Sequence, residues 1–561
     1  MKRTVPLRNP VRTRTSADKR GEEPLKSASI RVHLHPFFGC PRPISWTLAC
    51  LLILAACAGL ETPPPPTALG PTITPNAFVS PSPTPFQPES TPSTDTPLPP
   101  VPSDTPVPTD TPIPTDMPVP PPSETASLPP PTPVPAARTQ VHLNAYLDYA
   151  AHTVSVAETI VYPNQTGVAL GSLVLAVEPN LWTGGFTLDA LAVDGVPVTN
   201  FSLTAGRLEV PLAAPLAPGA TVSLSINYRL SLPYAGAANI YGYNSLQTNL
   251  LDWYPFVVPY DPAQGWILHA PSSVGEHLVY DVADFDVTLQ LSDEALVVAA
   301  SAPGEWTGAA WHYRLTARTF VLSASDSYQT AATAAGPVVV TAYFFSSEAQ
   351  AANALLQEVA KAVTTYSAYF APSPYQTLAI VEAATYSDGM EADGLFFLGR
   401  KFYQQYNGTP RDNLIAIGVH EAAHEWWFGL VGNDQAMEPW LDEALATYSE
   451  QIFYEVNYPG YVNWWWGFRV NSYNPTGWVD NNIYNAGAFR PYVNAVYLRG
   501  ADFMDALRGR VGDEAFFAFL RDYAAQMSGR RATTDDFFRI LRQHTGVDFY
   551  DVEASYFQFP R

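Results

Sequence analysis

The sequence predicts a multidomain chain in which an extended lead is followed by an all-β domain and then by an α+β domain. Three observations predict it. Pro, Thr, Ser and Asp dominate residues 58–136. From about Arg138 to residue 335, apolar residues alternate with polar ones and turn residues punctuate the runs, which is the texture of strands. Beyond residue 345 the pattern turns helical, and a proline-free, mostly apolar run from Leu414 to Phe428 contains His420-Glu421-Ala422-Ala423-His424.

Length and charge bound the rest. The 561 residues leave room for two or three domains. The formal net charge is −22, which argues against binding nucleic acid through its phosphates, because that needs a basic face. The charge is uneven: residues 1–56 hold ten Lys and Arg against three Asp and Glu, and the remaining 20 basic and 49 acidic residues leave −29. An acidic exterior favours solubility and draws cationic peptide N-termini towards the surface. Cysteines stand only at positions 40, 50 and 57, so the bulk of the chain has neither a disulfide framework nor a thiolate metal site.

In chain order, residues 1–43 are basic, and Ile44–Ala56 forms an apolar core too short to span a membrane comfortably. A basic flank, an apolar core and small residues at its end describe a secretory signal. Leu54-Ala55-Ala56-Cys57 resembles a bacterial lipobox, which implies a signal segment over 1–57, lipidation of Cys57 and a chain tethered to the outer face of the membrane. An uncleaved anchor would give the same topology. Residues 58–136 repeat Thr-Pro units at a six-residue rhythm (Thr105-Pro106, Thr111-Pro112). Proline fixes φ and donates no hydrogen bond, so this stretch is expected to be an extended stalk, whose upper limit at ~3.1 Å per residue is about 240 Å and of which real chains fall short.

The β domain is expected over 137–335. Val154, Val156, Glu158, Ile160 and Tyr162 line one side of one run, and Val222, Leu224, Ile226, Tyr228 and Leu230 one side of another. The second globular part is expected over 336–561. It opens on an apolar strand at Val338–Phe345 and a helix capped by Ser346 or Ser347, whose buried stripe is Ala354, Leu355, Val359, Ala362, Val363 and Tyr366. Leu378–Glu382 reads as a further strand leading towards Gly389-Met390-Glu391. Trp426, Trp427, Phe428, Trp440 and the run Trp464-Trp465-Trp466 read as core. Aromatic clusters around Phe516–Tyr523 and Phe537–Leu541 suggest closing helices, and His277 and His544 read as ordinary polar residues.

On a helix capped by Asp412, His420 and His424 lie one turn apart and face the same way. Two such imidazoles can hold one Zn²⁺, with Glu421 placed as a general base. A catalytic zinc needs a third protein ligand, and Glu443, 19 positions after His424, opens a second predicted helix that starts near Pro439. Asp434, Glu438 and Asp442 stand near enough in sequence to hold an imidazole by its second nitrogen, without a way to choose among them.

HExxH, an 18-residue gap and Glu, then Tyr497-Leu498-Arg499-Gly500, with Met390-Glu391 upstream, resembles the aminopeptidase N family of zinc peptidases, which also includes leukotriene hydrolases. The resemblance implies a thermolysin-like catalytic domain behind a β domain, and Trp253-Tyr254-Pro255 and Gly265-Trp266 are similar to a stretch of the latter. It implies one Zn²⁺ on His420, His424 and Glu443, Glu421 as base, and Tyr497 as donor to the oxyanion. It also implies that Glu391 pairs with the substrate's α-ammonium while Gly389 and Met390 contact the peptide. Asp388 and Ala392 replace the motif's glycine and asparagine, so strict exopeptidase action rests on Met390 and Glu391. Many family members carry a large C-terminal helical domain over the active site; this sequence ends at Arg561, and a more open site is expected. The expected function is release of N-terminal residues from extracellular peptides. The alternatives are an endopeptidase or another zinc hydrolase of the same fold, and a non-catalytic surface binding protein.

Overall fold

A computed structural model describes residues 137–561. The expected signal segment, Cys57 and the stalk lie outside the described residues. Among the described residues no helix is long and apolar enough to cross a membrane.

The β part follows from the alternation. Strands Thr139–Asp148, Thr153–Pro163 and Thr221–Ser231 bury every second side chain. They lie side by side in an eight-stranded sheet that also takes in Ala283–Leu291, parallel to Thr139–Asp148. Two four-stranded sheets complete this part, one around Leu170–Ala176 and Arg207–Leu216, the other around Thr248–Leu250 and Leu322–Ser325. Leu143, Val154, Ile160, Leu224, Leu230, Val287 and Trp253 form its core. The Trp253 indole donates to the carbonyl of Phe320 at 3.0 Å, so its burial leaves no donor unmet.

The second part is built on a five-stranded sheet in the order Gln329–Ala335, Val338–Phe344, Thr377–Ala383, Leu395–Gly399 and Gly389–Met390. The outer pairs are antiparallel and the inner ones parallel. Among the described residues this part carries ten α-helices: α1 (Ala349–Tyr369), α2 (Arg400–Gln405), α3 (Asn413–Ala423), α4 (Trp440–Asn457), α5 (Val462–Trp465), α6 (Phe489–Val493), α7 (Arg499–Val511), α8 (Asp513–Met527), α9 (Thr534–His544) and α10 (Tyr550–Tyr556). Helix α9 begins with a capping box between Thr533 and Asp536. Trp426, Trp427, Trp440 and Trp465 are fully buried in the core of this part, as their sequence context predicts.

Three details differ from the sequence reading. The joint expected at 335/336 is the turn of a hairpin whose strands, Gln329–Ala335 and Val338–Phe344, belong to one sheet. Residues 329–335 alternate like the β domain before them, so pattern alone cannot assign them. Neither Ser346 nor Ser347 caps α1. The chain enters through a 3₁₀ turn over Ser346–Glu348, and the Ser347 hydroxyl is spent on the Glu348 carboxylate. The buried stripe of α1 includes Leu355, Val359, Ala362, Val363 and Tyr366, while Ala354 sits at its half-exposed margin.

Candidate metal centre

Helix α3 carries His420 and His424 in the core. Asp412 caps it, accepting the backbone N–H of Leu414 at 2.9 Å, and Leu414 to Ala423 are all buried. The helix does not run on regularly. A wider π-type stretch covers Glu425–Leu430, with non-helical backbone at Trp427 and Phe428. That distortion turns the Trp427 carbonyl back to His424 Nδ1 at 3.2 Å. Helix α4 starts after Pro439, as expected, and presents Glu443 in its first turn.

The three expected ligands meet. His420 Nε2 lies 3.2 Å from His424 Nε2, and Glu443 Oε2 lies 3.3 Å and 3.6 Å from them. The other nitrogen of each ring faces a group that can only accept: His420 Nδ1 is 3.0 Å from Glu450 Oε1, and His424 Nδ1 faces the Trp427 carbonyl. Both Nδ1 atoms therefore carry the proton, and both Nε2 atoms present lone pairs. Burial pushes both imidazoles down to about 4, so they are neutral. Two lone pairs and a carboxylate oxygen without a hydrogen bond of its own repel one another unless a cation lies between them. Their spacing suits zinc, since ligands at about 2.0–2.1 Å in a tetrahedron are about 3.3 Å apart. The residues present fit the metal.

Around this triad stand the other expected residues. The Tyr497 hydroxyl donates to Glu443 Oε1, and its ring lies parallel to that of His420 with centroids 6.0 Å apart. It is carried by a second π-type stretch, Asn494–Leu498, which leads into α7. Gly500, the last residue of the Tyr-x-Arg-Gly motif, lets α7 close on α4 beside Glu443: a Cβ there would stand 2.4 Å from that of Ala444. Glu421 is buried, and its Oε2 has no hydrogen-bond partner among the described residues. Burial, then the charges of Glu391 and Asp388, raise its proton affinity well above that of an ordinary carboxylate. Gly389 and Met390 form the edge strand of the sheet, and Gly389 lies against Glu421, where a Cβ would fall 1.9 Å from Oε1. The loop thus has a steric reason for glycine at this position. Glu391 is buried beside it and accepts from Gln435 Nε2 at 3.3 Å. Glu391, Glu421 and His424 also bring their ligand atoms within 4.8 Å of one another, so the cleft continues from the triad to Glu391 as one acidic surface.

Four residues escaped the sequence reading. Glu276, from the β part, is pushed up to about 8 by burial and by the charge of Glu391. Gln435 reaches Glu391 from the loop before α4. Glu450 is the acceptor for His420, and Arg469 in turn holds Glu450. None of the three acidic residues considered as holders of the ligand imidazoles reaches His420 or His424. Asp434 pairs with His269 at 2.8 Å, Glu438 accepts from the Thr534 backbone at 3.0 Å, and Asp442 accepts from the Glu443 backbone at 2.7 Å. Glu450 was readable, because it lies seven residues after Glu443 and hence two turns along the same face of α4. His277 and His544 are ordinary ion-pair partners, of Glu178 at 3.4 Å and Asp522 at 2.9 Å.

Residues 354–556 match the Peptidase family M1 domain. The chain is 24% identical over 215 residues to aminopeptidase M1-B of Oryza sativa subsp. japonica, covering 36% of this chain and 25% of that one. It is 25% identical over 230 residues to endoplasmic reticulum aminopeptidase 2 of Bos taurus, covering 38% and 24%. It thus spans about a quarter of the length of the curated relatives it matches. The fold is that of the M1 zinc metallopeptidase from Deinococcus radiodurans, with a TM-score of 0.53 at 18% identity over 73% of this chain and 92% of that one. A two-domain M1 zinc metallopeptidase bound to L-arginine gives a TM-score of 0.54 at 18% identity over 72% and 91%. Residues 354–556 thus match the model of peptidase family M1, and the described fold is similar to that of two-domain M1 zinc metallopeptidases.

Proposed function

We propose that the protein is a zinc-dependent aminopeptidase that removes N-terminal residues from extracellular peptides. The observation that carries this reading is the convergence of His420 Nε2, His424 Nε2 and Glu443 Oε2 next to a buried Glu391 and to Glu421, whose Oε2 has no hydrogen-bond partner among the described residues. Zinc held there would supply a Lewis acid and a water that ionises near neutrality. Glu421 takes the proton of the attacking water and delivers it to the leaving amine, a role its raised proton affinity suits. The Tyr497 hydroxyl gives up its bond to Glu443 and donates to the oxyanion of the tetrahedral carbon. Glu391, with Glu276 opposite from the β part, pairs with the α-ammonium of the substrate and so fixes the scissile bond one residue from the N-terminus.

The test is one peptide offered with a free N-terminus and with an acetylated one. Cleavage of the free form alone, one residue at a time, is expected. Cleavage of both forms moves the enzyme to the endopeptidases, the reading favoured by Asp388 and Ala392 in the motif loop. Cleavage of neither by zinc-loaded protein overturns the peptidase assignment. The proposed surface tether rests on the lipobox-like Leu54–Cys57. Cells fed a fatty-acid analogue are expected to label the chain, and Cys57→Ser to lose that label; unchanged labelling of the variant refutes the anchor.

A further inference from the structure

Glu450 is fully buried on α4, and four hydrogen bonds hold its carboxylate. Oε1 accepts from His420 Nδ1 at 3.0 Å and from Arg469 Nη2. Oε2 accepts from Trp465 Nε1 at 2.9 Å and from Arg469 Nε at 2.7 Å. Arg469 is 3% exposed and Trp465 is completely enclosed. Both come from one short segment: α5 ends at Trp465, and Arg469 sits in the π-type stretch Trp466–Val470 that continues it. The arginine meets the carboxylate as a fork on a fork, the pairing that fixes a carboxylate plane as well as neutralising it.

We propose that Arg469, with Trp465, is a positioning residue for zinc retention, acting through Glu450 on His420 and touching neither metal nor substrate. The proposal rests on the reading of His420, His424 and Glu443 as the zinc site. Glu450 presents Oε1 to His420 only in one rotation of its carboxylate, and the fork holds that rotation. Held so, Glu450 keeps the proton on Nδ1 and aims the lone pair of Nε2 at the metal position. Without the fork, the carboxylate keeps only Trp465 Nε1 and His420 Nδ1 as donors and is left to rotate, which loosens the ring. Removing Arg469 also removes a positive charge near the metal position, which on its own would tighten zinc. The two effects have opposite signs, so the measurement decides between orientation and charge.

The experiment measures zinc affinity of the full chain by competition with a chromogenic chelator, and the visible spectrum of its Co²⁺ form. Arg469→Lys keeps the charge and loses the fork; Arg469→Met loses both. Both are expected to bind zinc about 10–100-fold more weakly than wild type, the usual effect of losing such a support, and to shift the Co²⁺ bands. Glu450→Gln is expected to fall in the same range, and Trp465→Phe to lose a few-fold. Thermal unfolding of the metal-free variants separates failure to fold from failure to hold metal, and Arg469→Lys serves where Arg469→Met does not fold. Wild-type affinity and an unshifted Co²⁺ spectrum in Arg469→Lys, or tighter binding in Arg469→Met, overturn the proposal. Wild-type protein that takes up no zinc, or His420→Ala that takes up as much, refutes instead the site reading beneath it.

Discussion

Glu421→Gln is expected to lower kcat by about 10²–10⁴-fold while the protein still takes up one zinc. Glutamine has nearly the same shape, and the place it would occupy is tightly defined. One carboxylate oxygen lies against Gly389, with no room for a methyl group between them. The other has no hydrogen-bond partner among the described residues and stands beside the ligand triad. The side chain contributes nothing to the three ligand atoms, so metal content should stay at one per chain. An amide cannot accept the proton of the attacking water, so turnover should fall while KM stays within a few-fold. Steady-state kinetics with metal analysis on the same sample checks both halves. Retained activity would remove Glu421 from the mechanism, and lost zinc would make it a structural support.

Arg318→Met is expected to destabilise the protein by about 3–5 kcal/mol, the upper range for single substitutions. Arg318 leaves the β part at the end of strand Trp311–Ala317 and is buried. Its guanidinium donates to three backbone carbonyls, Phe428 at 2.7 Å, Tyr280 at 3.0 Å and Arg530 at 2.8 Å. Its own backbone N–H and that of Thr319 donate to Asp393 at 3.1 Å and 2.7 Å, and Tyr375 donates to the other oxygen of Asp393. Methionine keeps most of the apolar stem but leaves three buried carbonyls unmet, each at a cost of about 1–3 kcal/mol that is only partly additive. Asp393 lies two residues after Glu391, and Phe428 lies in the distorted stretch that holds His424. Loss of this joint should therefore loosen the cleft as well as the fold. Thermal and denaturant unfolding of the metal-free protein measures the first effect; a wild-type midpoint would show that the three carbonyls find other donors.

His420 and His424 were legible because their geometry is local, whereas Tyr497 and Gly500 were legible only through the family resemblance, since the Tyr497–Glu443 contact spans 54 residues. Helical pitch puts His420 and His424 on one face, and a fixed interval brings α4 back to them. The alternation in 139–231 was legible for the same reason, even at Glu158, which is buried as its position demands. What was not legible depends on contacts across long stretches of chain. Arg318 reaches Arg530, 212 residues away, and the charge of Glu391 bears on Glu276, which lies in a loop of the β part. No periodicity marks either. The failed cap at Ser346 and Ser347 has another cause: the right residue type was present, but Glu348 and a tighter turn claimed the hydroxyl first.

The hairpin at 335/336 bears on how substrate enters. Chain whose sequence pattern continues the first part supplies the outermost strand of the second part's sheet, and Arg318 pins the same boundary from inside. A hinge needs a seam that few bonds cross, and this boundary has none. A swing of one part over the other would have to break the Arg318 bonds to Phe428 and Arg530, so access to the site is tied to the rigidity of this joint.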